Sequence, residues 1–299
     1  MLFKKLTLGI ARSLGIRELF NEWWQEWWQS KSGIVAYLGD SRALVRTIYG
    51  CYLFVDTRDM SLAPQLLAHG QWEQGVAALL RRILRPGMTI IEVGANVGYF
   101  SILSASLVGE AGKVCCFEPN PRLARLLREG SEVNGMSGRI AVAEKAVWSS
   151  STEIDFYLLR DHMGSSSANS SIHRTAQAFN DRTEKIVVQT VTLDDYRSAE
   201  SGVDLLKIDA EGAELHVIQG ARRLLERNPG IRMIMEFYPS NFADPDDAGR
   251  LLDLLRSLGF GWQAVDTDNP AFPPREISRG ALLEGRTTEL LLQRAGMSV

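Results

Sequence analysis

Apolar residues recur along this chain at two spacings, and the switch between them marks out its elements. Phe20, Trp23, Trp24, Trp27 and Trp28 share one side of a helical wheel, with Glu22, Gln25, Glu26 and Gln29 on the other. Alternation takes over in Ala43 to Tyr49 and Cys51 to Val55, which predicts a small hairpin around Gly50. Helical spacing returns in Ser61 to His69 and Trp72 to Leu84, and Arg85-Pro86-Gly87 ends the second of these. Beyond it, short apolar runs alternate with helical stretches. Strands are expected over Thr89 to Val93, Val114 to Phe117, Ile140 to Val142 with a continuation at Ala146 to Trp148, and Ile154 to Leu158. Further strands are expected over Ile186 to Leu193, Val203 to Ile208, Ile231 to Phe237 and Thr287 to Arg294. The helices between them are Tyr99 to Val108, Pro121 to Val133 with Asn134-Gly135 as its cap, and Ala213 to Arg227. A last helix opens on Asp244 with Pro245 in its first position and closes at Gly259. Gly164 to Ser171 is small, polar and aperiodic; it reads as a solvated loop, with an active-site lid as the alternative.

Strands alternating with helices imply an open, mostly parallel sheet with helices on both faces, and a ligand outside the carboxyl ends of the strands. Glu92, Glu118, Asp209 and Glu236 all fall at such ends. Four acids around one crevice point to a polar, cation-accepting site. The strand ending at Val93 runs into a turn containing Gly94, Asn96 and Gly98, and then into a helix. Glycine there permits a sharp turn and close approach of a ligand to the main chain. The helix start offers unpaired N–H groups. The motif is not a dinucleotide fingerprint, because Asn96 stands at its middle glycine and Glu92 would repel a pyrophosphate. A ligand with an ammonium, a sulfonium and a carboxylate, as in S-adenosylmethionine, suits that chemistry better. Glu118 follows the turn at the ~20-residue spacing from which an acid accepts ribose hydroxyls. Pro119 and Pro121 stop its strand and start the next helix.

Length and composition narrow the picture further. The chain has 299 residues, enough for one large domain with an appendage, and its 45% hydrophobic and 23% charged residues are ordinary for a globular protein. A net charge of −3 gives no general argument for a nucleic-acid partner. Cys51, Cys115 and Cys116 make no disulfide framework, so a reducing, cytoplasmic location is expected. Zinc patterns such as C-x-x-C and H-E-x-x-H are missing, as is the G-x-S-x-G elbow of a serine hydrolase. No apolar run reaches the roughly 18 residues of a membrane span. Residues 1 to 57 are expected to form an extension with the Trp-rich helix, and 58 to 299 the main domain. With Lys4, Lys5, Arg12 and Arg17 upstream, the helix around Trp23–Trp28 is a candidate for peripheral membrane or partner contact. The plainer alternative is packing on its own chain or on a second copy in a homo-oligomer.

The segments E-V-G-A-N-V-G-Y-F-S, F-E-P-N-P, V-T-L-D-D-Y and L-L-K-I-D-A-E-G-A-E with Q-G-A resemble the FkbM-type S-adenosylmethionine-dependent methyltransferases, from about Arg58 to Arg294. The resemblance implies the α/β, Rossmann-like class I methyltransferase sheet of seven strands, mostly parallel with the last antiparallel. It implies methyl transfer to a hydroxyl oxygen of a sugar, glycan or related natural product. On that resemblance Glu92, Gly94, Asn96 and Gly98, with Tyr99 behind them, hold the methionine part of S-adenosylmethionine, and Glu118 and Asn120 the ribose. Glu144 or Lys145 lies where an adenine contact is usual, and Glu73 where the family often has an acid before the core. The chain departs from the family in carrying Glu92 where Asp is common, and Tyr238 in E-F-Y-P where the family often has His.

Methyl transfer to oxygen is an in-line displacement that needs the acceptor hydroxyl held in alignment and relieved of its proton. Asp209 is the leading candidate base, with Glu211 second and Glu236 beside them. His173 is a further candidate, whereas His216, inside a helix, reads as structural. No metal is expected, although Asp209, Glu211 and Glu236 would together suit Mg²⁺. Two other readings remain: a nicotinamide-dependent oxidoreductase on the same fold, and a non-catalytic module that binds the cofactor as a scaffold.

Overall fold

The alternating pattern before the central turn folds as a three-stranded antiparallel sheet of β1 (Gly33–Gly39), β2 (Arg42–Arg46) and β3 (Tyr52–Asp56). The expected hairpin is the β2–β3 pair, turned by Gly50 at φ +86°. The computed structural model describes residues 33–169, 172–196, 202–285 and 288–296. The Trp23–Trp28 helix and Thr287 lie outside the described residues.

Helices α1 (Ala63–His69) and α2 (Gln74–Ile83) lead into β4 (Thr89–Val93), α3 (Tyr99–Val108), β5 (Lys113–Phe117), α4 (Pro121–Val133) and β6 (Ile140–Ala143). Then come β7 (Ala146–Val147), β8 (Glu153–Leu159), α5 (Ile172–Phe179), β9 (Thr183–Val191), β10 (Leu205–Ile208), α6 (Glu214–Gln219) and α7 (Arg222–Arg227). The chain closes with β11 (Arg232–Phe237), α8 (Asp247–Ser257), β12 (Phe260–Val265), β13 (Arg275–Glu276), α9 (Arg279–Glu284) and β14 (Thr288–Arg294). The main sheet has the order β13-β12-β14-β11-β10-β4-β5-β6. Strands β6, β5, β4, β10 and β11 run parallel, and β14 is antiparallel to both β11 and β12. This is the expected seven-stranded class I methyltransferase sheet, extended at its edge by the two-residue β13. Ile90, Ile91, Leu205, Leu206, Met233 and Ile234 are each at most 1% exposed, because helices cover both faces of their strands. Chain order reverses between β4 and β10, which opens a crevice at their carboxyl ends.

The small sheet is joined to this core: Ala43, Val45, Leu53 and Val55 share one buried cluster with Ile102, Leu126 and Leu127. Asn134, at the end of α4, clamps β3. Its Oδ1 accepts the Tyr52 N–H at 2.9 Å, and its Nδ2 donates to the Tyr52 and Gly130 carbonyls at 2.6 and 2.7 Å. Asn134→Ala strands these backbone groups, and urea unfolding is expected to show a loss of about 1–3 kcal/mol with activity otherwise intact.

Three elements differ from the sequence reading. Residues 146–148 do not continue β6. The exposed pair Glu144-Lys145 interrupts the strand, and β7 joins a third sheet of order β7-β9-β8. The helix expected over 213–227 breaks into α6 and α7 at Gly220. The Trp148 carbonyl packs there so closely that a Cβ would lie 2.1 Å from it. Asp244 does not cap α8, which begins at Asp247. Its carboxylate instead accepts the Asp246 N–H at 3.0 Å in the turn before the helix.

Candidate active site

The turn after β4 is shaped by contacts within the protein. Gly94 has φ +77°, and a Cβ on it would fall 1.8 Å from the Asp209 carbonyl oxygen. The Asp209 N–H donates to the Val93 carbonyl at 3.0 Å, so the ends of β4 and β10 are held in contact. Gly98, at φ +87°, leaves room for Leu127 of α4, whose Cδ1 a Cβ would meet at 2.0 Å. It serves helix packing and lines no cavity of the site. Asn96 takes the left-handed conformation at φ +52° and donates its N–H to Glu118 Oε2 at 2.7 Å. The other oxygen of Glu118 accepts the Asn120 N–H at 2.9 Å. Glu118 thus ties the loops after β4 and β5 together. Burial raises its pKa to about 7 against these two hydrogen bonds, and the charges of Asp209 and Glu92 add to the rise.

Two cavities meet at this point. A cleft of about 630 Å³ is walled by Phe117, Val147, Trp148 and Phe156, with Gly94, Asn96, Glu118, Lys145, Asp209 and Glu211 among its polar lining. Met163, Gly164, Ser166 and Ala168 form part of its wall. The loop expected to be plainly solvated therefore encloses the site. Asp59 Oδ1 accepts the Met163 N–H at 2.9 Å, and the Ser167 hydroxyl donates to the Glu211 carbonyl at 2.7 Å. The second cavity, about 810 Å³, is acidic. Glu73, Glu92, Tyr99, Lys207 and Glu236 line it, and it shares Gly94, Asn96, Gly164, Asp209 and Glu211 with the cleft.

Lys207 is the cation of this region. It is 2% exposed, its Nζ lies 3.4 Å from Asp209 Oδ2, and it sits 4.8 Å from the centre of the Phe100 ring. Burial opposes its charge, but the carboxylates of Asp209, Glu289, Glu92 and Glu73 outweigh burial and push its pKa up. Glu92 and Glu73 are raised to about 7, mainly by burial, with Lys207 pulling the other way. Glu92 also accepts the Ser101 hydroxyl at 2.5 Å. One oxygen each of Glu73 and Glu289 is buried without a hydrogen-bond partner. Glu211, at φ +50°, accepts from Asn241 Nδ2 at 2.9 Å. Burial pushes its pKa well up, and Asp209 and Glu214 reinforce this. Glu236 is raised well above the usual range, by burial first and then by Asp209 and Glu211.

Four of the candidate residues stand elsewhere. Asn120 caps α4 through the Arg122 N–H at 3.0 Å and is not part of the cleft wall. Gly98 packs on Leu127, as above. Glu144 points outward to Arg128 at 3.0 Å, and its neighbour Lys145 lines the cleft instead. His173 is exposed on α5 with its ring edge-on to Tyr157, outside both cavities. His216 stacks on Trp148 with ring centres 3.8 Å apart, in keeping with a structural role.

The Methyltransferase FkbM domain matches residues 92–261 of this chain. The 31-O-demethyl-FK506 methyltransferase FkbM of Streptomyces tacrolimicus is 30% identical over 221 residues, 66% of this chain and 81% of that protein. The chain belongs to the FkbM methyltransferase family. A protein-L-isoaspartate O-methyltransferase of Aeropyrum pernix is 32% identical over 118 residues, which span 38% of this chain and 45% of that relative. Among solved structures, a SAM-dependent O-methyltransferase from Thermotoga maritima aligns at 15% identity and TM-score 0.43, over 86% of this chain and 79% of its own. An O-methyltransferase from Bacillus cereus in complex with SAH aligns at 17% identity and TM-score 0.41, over 73% and 79%.

As an FkbM methyltransferase, the protein uses S-adenosylmethionine, which excludes the nicotinamide oxidoreductase reading. The residues present fit that cofactor. Apolar walls beside a buried acid suit an adenosine, and the half-neutralised carboxylates around Lys207 suit added positive charge. The methyltransferase also relies on residues that sequence reasoning passed over. Glu214 Oε1 accepts the Ala210 and Gly212 N–H groups at 3.0 and 3.2 Å, so it shapes the loop that presents Asp209 and Glu211. Its signal was the third acid of D-A-E-G-A-E, just where a helix begins. Asn241 and Ser101 carry no signal of their own, since each acts on an acid distant in sequence.

Proposed function

We propose that the enzyme methylates a hydroxyl oxygen of a sugar, glycan or related natural product. The observation that carries this reading is the meeting of a cleft with apolar walls beside Glu118 and an acidic cavity across Asp209 and Glu211. S-adenosylmethionine supplies the methyl group. Glu118 accepts the ribose hydroxyls with the lone pairs that its two backbone bonds leave free. The acids of the second cavity accept hydrogen bonds from a polyhydroxylated acceptor. Glu211, raised in pKa and held by Asn241, takes the proton of the reacting hydroxyl. Asp209, paired with Lys207, holds charge at the junction. The loop 163–168 excludes water from the cleft. Cys51, Cys115 and Cys116 are buried and form no disulfide among the described residues, which supports a reducing, cytoplasmic setting. Among the described residues no helix is long and apolar enough to cross a membrane.

Calorimetry with S-adenosylmethionine and S-adenosylhomocysteine, with NADH as control, tests the cofactor half. Glu118→Ala is expected to weaken both by roughly 10- to 100-fold, because a charged acceptor is worth about 1.5–3 kcal/mol. Transfer of labelled methyl to a panel of hydroxylated glycans tests the acceptor half. Label appearing only on amines or carboxylates would sink it. A divalent cation is the second reading, favoured by carboxylate oxygens of Asp209, Glu211 and Glu236 lying within 4.8 Å of one another. Activity lost to EDTA and restored by Mg²⁺ would establish it.

A further inference from the structure

Beside the cofactor cleft lies a groove of about 1190 Å³ with the opposite charge. Four arginines enter it from four parts of the chain: Arg58 after β3, Arg122 in the first turn of α4, Arg160 after β8 and Arg182 before β9. Glu184 is the acid among its lining residues. The chain as a whole has a net charge of −3 and an acidic cleft, so this concentration of cations is local. Asp56, fully buried, neutralises part of it by pairing with both Arg58, at 3.0 Å, and Arg122. The guanidiniums of Arg160 and Arg182 have no hydrogen bond or ion pair among the described residues. The Arg160 N–H donates to the Arg182 carbonyl at 3.1 Å, which sets the two residues side by side. Asp181, next to Arg182, does not quench them. Its carboxylate accepts the backbone N–H groups of Asp161, His162 and Arg182 and pairs with the His162 ring at 3.0 Å. The N-terminal end of α4 borders the groove through Asn120 and Pro121, and its dipole adds positive potential.

Guanidiniums converging from separate elements are the chemistry of phosphate recognition, since each presents a rigid fork to two oxygens. We propose that this groove binds a phosphate or diphosphate group carried by the methyl acceptor. The proposal rests on the acceptor reading above and names the acceptor's second feature. The two ends of such a molecule have a short path between them. Met163 borders groove and cleft, and the next residue, Gly164, borders cleft and acidic cavity. The segment 58–62 makes the same link, with Arg58 in the groove and Ser61 and Leu62 in the acidic cavity. A concave site favours a discrete ligand over a flat anionic membrane.

The test is calorimetric titration of the full chain with inorganic pyrophosphate, with S-adenosylhomocysteine titrated in parallel. The variant is Arg160→Gln/Arg182→Gln, whose side chains hold nothing else in place. The wild type is expected to bind pyrophosphate saturably. The double variant is expected to lose about tenfold or more of that affinity while keeping its affinity for S-adenosylhomocysteine. No saturable binding, or equal binding by the variant, overturns the proposal. So does a wild type that ignores pyrophosphate yet sediments with phosphatidylglycerol-containing vesicles, because that assigns the arginines to a lipid surface. Failure to bind S-adenosylhomocysteine would instead strike at the cofactor cleft, and the two failures are read in separate titrations.

Discussion

Glu211→Gln is expected to lower kcat by about 10²–10⁴-fold, the usual worth of a general base, with little change in affinity for S-adenosylmethionine. The substitution keeps shape and leaves an oxygen to accept from Asn241 Nδ2, so the loop 209–214 has no reason to move. What it removes is the proton acceptor. Glu211 borders both cavities, and its pKa is pushed well up by burial, with Asp209 and Glu214 adding to the rise. A carboxyl tuned in that direction is a stronger base than an exposed one, and the activity of the wild type should climb with pH as Glu211 ionises. In Glu211→Gln that climb should vanish from the residual rate. Asp209→Asn separates the two acids. It removes the negative charge that pairs with Lys207 at 3.4 Å, so its damage should reach cofactor affinity and stability as well as turnover. A loss below about tenfold in Glu211→Gln, with the pH climb intact, would take Glu211 out of the reaction.

The sheet was legible because its physics is local. Strands buried on both faces read as near-continuous apolar runs, and Thr89–Val93, Leu205–Ile208 and Arg232–Phe237 do so apart from Glu92, Lys207, Arg232 and Glu236. The site's acids were legible for a related reason. An acid that ends such a strand has a cost of burial that only a partner or a ligand offsets. The roles within the motif were less so. Gly94 and Gly98 look alike in sequence, yet one answers to the Asp209 carbonyl and the other to a leucine side chain on α4. The break at Gly220 depends on Trp148, and the departure of β7 on its pairing with β9, and in each case the partner comes from another part of the chain. The Ser-rich loop showed no periodicity because it forms no regular element. Its place beside the cleft is fixed by Asp59, Ser61 and the Glu211 carbonyl, which no local pattern reveals. His173 was attractive by residue type alone, and helix α5 turns it outward.

Charge is divided in this molecule in a way its total hides. The acidic cavity gathers carboxylates around Lys207, while the neighbouring groove gathers four arginines, two of them paired with Asp56, against Glu184. Each half is incompletely neutralised by the protein. A cationic cofactor answers the first, and an anionic acceptor group would answer the second. Binding of both together places opposite charges on either side of Met163 and Gly164, so each should favour the other at low salt.

Lys207→Met is expected to cost about 3–5 kcal/mol of stability, the range for removing one partner of a buried ion pair, and the cost should depend on pH. Glu73 and Glu92 have pKa values near 7 in the folded protein against 4.5 when free. Between those values the folded state holds more protons than the unfolded one. The stability that these two groups contribute therefore falls as pH rises from 4.5 through 7 and levels off above. Lys207 moderates that fall, since its charge lowers the pKa of Glu73, Glu92 and Glu289. Lys207 itself stays protonated in both states across this range and adds no slope of its own. Without it the three carboxyls hold their protons to higher pH, and the window of falling stability widens upward. The deficit of the variant should be largest near about pH 8 and shrink towards about pH 6, where neutral carboxyls no longer need the lysine. Urea midpoints of both proteins at the two pH values read this directly. A deficit of the same size at both would mean that the lysine contributes packing alone, and that the carboxylates around it are not held in balance by its charge.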